Sequence, residues 1–364
     1  MKGPLRVGVV GLGRWATAAH LPALAEDPRW EIAALADSDP QRREEAGGLF
    51  PAARTFPDLP AMLRERELDV VDICTPHRTH RELALAAIAA GKHVLCEKPL
   101  ALTLDDAREM AGAAETAGVR TAVCFTFRHA PGVRALKDLL EAGRIGRVYH
   151  VQGFEQNSLF HDPLVPRPAS WAEERGHSGA LGEYASHLVD LVRWLVGDFV
   201  EVAADLRTFV PERLLVGRGM APSGVDDAAA FLARLEGGVQ GLLQASWVAA
   251  GRPPGVELRI FGERGALWLR LVEGPEGVER LWAADIADGL FEPVPIPDAV
   301  PRDAGGDWPR LYLRRLVGHV GERLLAGQAP EGDFEDGWRS QAILDAVHLA
   351  AQERRWVALA ELTG

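Results

Sequence analysis

Two textures of apolar residues divide the chain. From Leu5 to about Cys124, short runs rich in Val, Ile and Ala alternate with longer stretches in which apolar residues recur at helical spacing. The runs predict strands at Arg6–Val10, Ile32–Ala36, Val70–Cys74, His93–Cys96 and Thr121–Phe125. The stretches between and after them predict helices at Ala16–Ala25, Pro40–Gly47, Leu59–Arg66, Thr79–Ala90 and Leu104–Ala117. Short apolar strands between helices imply a parallel sheet covered on both faces. Ligands of such a sheet bind beyond the carboxyl ends of its strands.

Past residue 125 the pattern changes. A helix is predicted at Pro131–Glu141 and an alternating strand at Val148–Gln156. A proline-rich loop, Leu159 to Ala169, runs on to Trp171 and leads to a second helix at Glu183–Val196. Strands follow at Val200–Phe209, Asp227–Leu235, Val239–Ala245, Val256–Phe261 and Ala266–Leu271, with glycine turns at Glu236-Gly237-Gly238 and Glu263-Arg264-Gly265. Consecutive strands joined by tight turns imply an antiparallel sheet. Two helices, Trp308–Ala326 and Glu335–Glu353, close the chain. The pattern predicts an α/β protein of two domains, 1–125 and 126–364, whose closing helices can pack back on the first domain.

The first strand–helix junction carries candidate chemistry. Leu5 to Ala16 reads LRVGVVGLGRWA. Gly11 allows a sharp turn, Gly13 leaves room for a pyrophosphate beside the backbone, and Ala16 lets the helix sit close to the strand. The helix start at Arg14 and Trp15 offers free N–H groups and a partial positive charge to phosphates. The second strand ends in Asp37-Ser38, and a carboxylate at that tip suits a ribose 2′-hydroxyl. It would repel a 2′-phosphate, which favours NAD, while Arg42 and Arg43 keep NADP open. Turn and carboxylate together imply a dinucleotide site.

Composition narrows the partners. With 47% hydrophobic and 25% charged residues the chain is an ordinary globular protein, and a net charge of −12 argues against a nucleic-acid or membrane-surface binder. No apolar run is long enough for a transmembrane span. The amino terminus has two positive charges before an apolar stretch, as a signal peptide does, but its glycines and Arg14 sit where a nucleotide turn needs them. Three widely spaced cysteines, Cys74, Cys96 and Cys124, argue against a disulfide framework and for a reducing, cytoplasmic compartment.

Two further segments hold titratable groups. Lys98, between Glu97 and Pro99 just past a buried strand, can reach the crevice and hydrogen-bond a substrate hydroxyl; a solvated loop lysine is the plainer alternative. Glu183, His187 and Asp190 fall at i, i+4 and i+7, so they share one face of an ideal helix. A carboxylate one turn from a histidine can orient the imidazole as a proton acceptor for alcohol oxidation. By spacing alone, a surface ion pair is the alternative. Metal ligation lacks the accompanying His or Cys pattern, so no metal is expected.

Taken together, Gly11-x-Gly13-x-x-Ala16, Asp37, Thr75-Pro76 with His80, Glu97-Lys98-Pro99 and Glu183-x-x-x-His187 resemble the Gfo/Idh/MocA oxidoreductases. Phe127-Arg128-His129, the Gly143-Arg144-Ile145-Gly146 turn and Val225-Asp226-Asp227 extend the resemblance over nearly the whole chain. The resemblance implies a Rossmann domain, followed by an α/β domain with an open, mostly antiparallel sheet. It also implies NAD(P)-dependent hydride transfer on a sugar, polyol or inositol-like substrate, and homodimers or homotetramers formed through the exposed sheet.

Carried over residue by residue, Lys98 matches the family's lysine and His187 its histidine. Glu183 stands where the family usually has Asp, and Ala185 where glycine is common. Expected cofactor contacts are Gly11, Gly13, Arg14, Trp15, Asp37, Ser38, Thr75, Pro76, His80, Glu97 and Lys98. Arg128, His161, Asp162, Trp171 and Tyr184 are weaker substrate candidates. The expected reaction is oxidation of a secondary alcohol or its reverse, with Lys98, His187 and Glu183 catalytic. A non-catalytic dinucleotide or sugar sensor on the same fold, and a metal-dependent lyase using Glu183 and His187, remain the alternatives.

Overall fold

A computed structural model describes residues 3–64, 67–169, 179–251, 255–272, 279–299 and 308–364. It divides into two compact units, Met1–His129 with Pro309–Gln341, and Ala130–Trp308 with Ala342–Gly364.

The first unit holds β1 (Leu5–Val10), α1 (Leu21–Glu26), β2 (Trp30–Ala36), α2 (Pro40–Leu49), β3 (Arg54–Phe56), α3 (Leu59–Leu63), β4 (Val70–Ile73), α4 (His80–Ala89), β5 (His93–Cys96), α5 (Leu104–Ala117) and β6 (Thr121–Val123). Its strands form one parallel sheet in the order β3-β2-β1-β4-β5-β6. That is the dinucleotide-binding order, with its crossover between β1 and β4. Local chemistry sets the helix starts. Asp39 accepts from Gln41 N–H ahead of Pro40, Asp58 from Ala61 N–H ahead of Pro60, and Thr103 from Asp106 N–H. Val7 and Val9 are fully buried, each contributing about 1.5–3 kcal/mol if fully exposed on unfolding.

The short edge strand β3 went unpredicted, because three residues too exposed to form an apolar run leave no periodic signal. Thr121–Phe125 stops as a strand at Val123.

The second unit opens with α6 (Pro131–Glu141) and β7 (Val148–Gln156). A π-helical turn at Leu181–Ala185 then leads into α7 (Ser186–Val196). After it come β8 (Phe199–Arg207), β9 (Glu212–Leu215), β10 (Gly219–Pro222), β11 (Ala228–Leu235), β12 (Gln240–Ser246), β13 (Gly255–Gly262), β14 (Gly265–Val272), β15 (Glu279–Asp285) and β16 (Glu292–Val294). The chain closes with α8 (Trp308–Leu325), α9 (Phe334–Glu353), β17 (Val357–Ala358) and α10 (Ala360–Thr363). The large sheet runs β16-β15-β14-β13-β7-β12-β11-β8-β17, and all its pairs are antiparallel except β7 with β12.

Helix α8 belongs to the first unit. Leu313, Leu316, Val317 and Val320 pack with Val7, Val9, Leu21 and Leu24 in one core, and Trp30 Nε1 donates to Val317 O at 3.0 Å. This contact carries the first unit beyond the chain segment that its βα alternation marks out. In the second unit, α6 and α7 cover one face of the sheet. On the other face, registered pairs align Trp282, Trp268, Arg259, Gln152, Leu242, Leu232 and Ala203 in one row across seven strands. Leu232 and Leu242 are exposed there, and Trp268 stacks on Trp282. No helix among the described residues is long and apolar enough to cross a membrane.

Candidate active site

The first unit gathers most of the expected cofactor residues at the carboxyl ends of β1, β2, β4 and β5. Gly11 has φ +88°, and a Cβ there would lie 2.7 Å from both Cys74 O and Thr75 Cγ2. Backbone strain and close approach each demand glycine at that turn. A Cβ on Gly13 would meet nothing within 4 Å, so the turn is open on that side. Asp37 faces the same loop: its Oδ2 accepts from Leu12 N–H at 2.7 Å and its Oδ1 from Asp39 N–H at 2.8 Å. Arg42 lies 3.8 Å from Asp37 and 3.6 Å from Asp39, and Arg43 donates to Asp37 O. A glycine turn open on one side, with a fixed carboxylate beside it, fits a dinucleotide. Arg14, Trp15, Ser38 and Pro76 are exposed around it, and Thr75 is half-buried.

Beneath this rim lies a charge cluster that the sequence reading missed. His20, at the end of a π-helical turn spanning Ala16–His20, is fully buried. Its Nδ1 stands 2.9 Å from Asp72 Oδ2 and its Nε2 2.9 Å from Glu97 Oε1. Glu97 Oε1 also accepts from Trp15 Nε1 at 2.9 Å, and Oε2 from Lys98 N–H at 3.0 Å. Burial alone would lower the His20 pKa, but the Asp72 and Glu97 carboxylates outweigh it and raise it to about 10. Burial likewise pushes Glu97 up, yet the His20 hydrogen bond and charge, with the Lys98 ammonium and Trp15, bring it down to about 2.

The missed signal was Asp72, a charge inside the apolar run Val70–Cys74, because a charged group buried in a strand requires a partner. Donor atoms of His20, Asp72 and Cys74, and of His20, Glu97 and Cys124, lie within 4.8 Å of one another. Both imidazole nitrogens already face carboxylates, which makes this an ion-paired cluster. The thiols are free, with Cys96 and Cys124 buried and Cys74 partly so.

Two expected ligand contacts are buried inside the first unit. His80 is fully buried, with Nε2 2.9 Å from Thr75 O and Nδ1 3.1 Å from Pro99 O. The ring ties the β4 tip to the Glu97-Lys98-Pro99 loop. Arg128 is 1% exposed, pairs with Asp336 at 2.8 Å and lies over the Phe125 ring. Lys98 itself is half-buried.

The second unit carries the other candidates. Glu183 and Tyr184 sit in the π turn, and His187 follows at the start of α7; all three are partly exposed. Asp190 is buried and lies three residues past His187 in α7, while Glu183 precedes that helix in the π turn. The π turn shifts the phase of the residues before Ser186 relative to those after it.

Asp226 anchors this turn, accepting from Leu181 N–H at 2.9 Å, and burial holds its pKa up at about 6. Gly179 is required, since a Cβ there would overlap the Asp226 carboxylate. Tyr184 OH accepts from Asn157 Nδ2 at 2.6 Å, and its ring meets Trp247 edge-on. Behind them Asp227 takes Trp247 Nε1 at 2.8 Å and Arg213 Nη2 at 2.5 Å. The buried Arg167 guanidinium lies over Trp247, its pKa lowered by burial and by Arg213. His161 and Asp162 are exposed on the loop, where Asp162 accepts from Leu164 N–H. Trp171 lies outside the described residues.

Comparison with known proteins agrees with this fold. Residues 5–125 match the family model described as an oxidoreductase family with an NAD-binding Rossmann fold, and residues 133–268 match the GFO/IDH/MocA C-terminal domain. Levoglucosan dehydrogenase of Pseudarthrobacter phenanthrenivorans is 31% identical over 99% of both chains. D-apiose dehydrogenase of Paraburkholderia graminis is also 31% identical, over 94% of this chain and 87% of its own. Among solved structures, an oxidoreductase domain protein from Kribbella flavida aligns with a TM-score of 0.88 at 31% identity, covering 98% of this chain and all of its own. A levoglucosan dehydrogenase in complex with NADH and L-sorbose aligns with a TM-score of 0.87 at 28% identity, covering 99% of this chain and 100% of its own.

Proposed function

Because the chain belongs to the Gfo/Idh/MocA oxidoreductase family, whose model describes an NAD-binding fold, we propose that it oxidises a secondary alcohol of a sugar or polyol in the levoglucosan, apiose and inositol range. What carries this reading is that the first unit keeps Lys98 past β5 and a glycine turn suited to a dinucleotide, and the second keeps Glu183 in its π turn and His187 at the start of α7. The relatives named above are dehydrogenases, one of them solved with NADH and a sugar. When bound, the nicotinamide supplies the hydride acceptor.

The chain's own residues do the rest. Gly11 to Arg14 receive the pyrophosphate and Asp37 the ribose hydroxyl, which favours NAD. Lys98 donates a hydrogen bond to the substrate oxygen and stabilises developing alkoxide charge. His187 takes the hydroxyl proton, and Glu183 orients it. Glu183 is one methylene longer than the family's usual Asp, and its place in a π turn offers a way to absorb that length.

The test is NADH formation across a panel of anhydrosugars, pentoses and inositols, with wild type and Lys98→Ala side by side. Turnover on one substrate that falls at least 100-fold in the variant supports the reading. Turnover equal in both proteins, or absent on the whole panel while NADH still binds, overturns it.

The row from Trp282 to Ala203, exposed at Leu232 and Leu242 and half-buried elsewhere, suits a second copy of the sheet, which supports assembly as a homodimer or homotetramer. Light scattering that gives the mass of one chain would remove that assembly. The free thiols suit a reducing cytoplasm.

A further inference from the structure

His20 is fully buried, and its ring links Asp72 to Glu97, the residue directly before Lys98. Four charged groups follow one another there: Asp72, His20, Glu97 and Lys98. An ionised carboxylate only accepts hydrogen bonds, so a ring 2.9 Å from one on each side satisfies both by donating from each nitrogen as an imidazolium. Other titratable groups face the cluster from every neighbouring element. They are Cys74 past β4, Cys96 ending β5, Cys124 past β6 and His80 opening α4. Burial pushes all three thiols up and His80 down, so each is neutral near pH 7. The charge on Glu97 is therefore shared between two cations, the buried His20 and Lys98.

We propose that His20 is a positioning residue for Lys98: clamped between Asp72 and Glu97, it holds the Glu97 carboxylate in place and limits how strongly that carboxylate binds the neighbouring ammonium. The inference rests on the assignment of Lys98 as the donor to the substrate oxygen. Without His20, two buried carboxylates would lose their shared cation, and Glu97 would pair with Lys98 alone. Lys98 would then hold its proton more tightly and be a poorer hydrogen-bond donor to an alkoxide.

The experiment uses the full chain with carbon-13-labelled lysine. The sequence has four lysines, Lys2, Lys92, Lys98 and Lys137, and the signal absent from Lys98→Ala identifies Lys98. In His20→Gln its titration midpoint is expected to rise by about one pH unit. The basic limb of kcat should move with it, while NADH dissociation stays within about two-fold of wild type. A Lys98 midpoint identical in both proteins overturns the proposal.

Should His20→Gln fail to fold, nitrogen-15 signals of the wild-type imidazole decide instead. A ring doubly protonated at pH 8 supports the proposal, and a neutral ring overturns it. The two readings fail separately. Full turnover in Lys98→Ala removes the catalytic assignment and leaves the titration result standing. An inactive Lys98→Ala with an unmoved midpoint removes only the role of His20.

Discussion

Each unit has a histidine at a π-helical turn, and the two are used in opposite ways. His20 closes the turn Ala16–His20 in the first unit and is fully buried, with a carboxylate on each ring nitrogen. His187 follows the turn Leu181–Ala185 in the second and remains partly exposed. A π turn carries an extra residue, so it redirects a side chain without ending the helix. What the redirected side chain then does depends on its surroundings. Between two acids and away from water it holds its proton up to about pH 10. Beside solvent it can exchange a proton, which a general base must do.

The comparison breaks most readily at His187. His187→Ala is expected to lower turnover on the true substrate by about 10²–10⁴-fold, with NADH affinity unchanged. Its unfolding free energy should stay within about 1 kcal/mol of wild type, because the side chain is partly exposed. Initial rates and a denaturant melt on the same sample read both. Unchanged turnover would mean that the exposed histidine is not the base.

The opposite split is expected for Asp72→Leu. Removing Asp72 leaves the buried His20 ring with one carboxylate instead of two and its Nδ1 unpaired, and breaking a buried pair costs about 3–5 kcal/mol. That loss should appear in the denaturation midpoint at pH 7, and a midpoint equal to wild type would contradict the ion-paired reading.

The smallest effect sharpens the contrast through pH. The folded-state pKa of His20 is raised from 6.5 to about 10, so its stabilisation is present below about pH 6.5 and is lost as pH rises through 10. Wild-type stability should therefore fall as pH rises from 7 to 10, through this group's loss of its proton. The slope should flatten in His20→Gln and persist in His187→Ala. Equal slopes in all three proteins would show that the buried ring does not hold an extra proton.

Some of the site was legible because its signals are local. Gly11 is called for by a positive φ and a close approach, both properties of one turn. The helix starts at Pro40, Leu59 and Leu104 follow from a capping side chain directly before them. For His80 and Arg128, residue type and motif position do not report the burial that the structure gives them. A histidine can hydrogen-bond a ligand or two backbone carbonyls with equal chemistry, and only packing decides which.

By itself the sequence determined the alternation of strands and helices, the parallel sheet of the first unit and the largely antiparallel sheet of the second. Periodicity and turn chemistry act over a few residues and survive without tertiary context. Only the folded structure decided that α8 joins the first core, that Asp72 and Glu97 converge on His20, and that π turns shift the phase of both histidine-bearing helices. Those outcomes depend on contacts between residues some 50 to almost 300 positions apart in the chain, and burial, which sets the charge of His20, exists only once such contacts have closed.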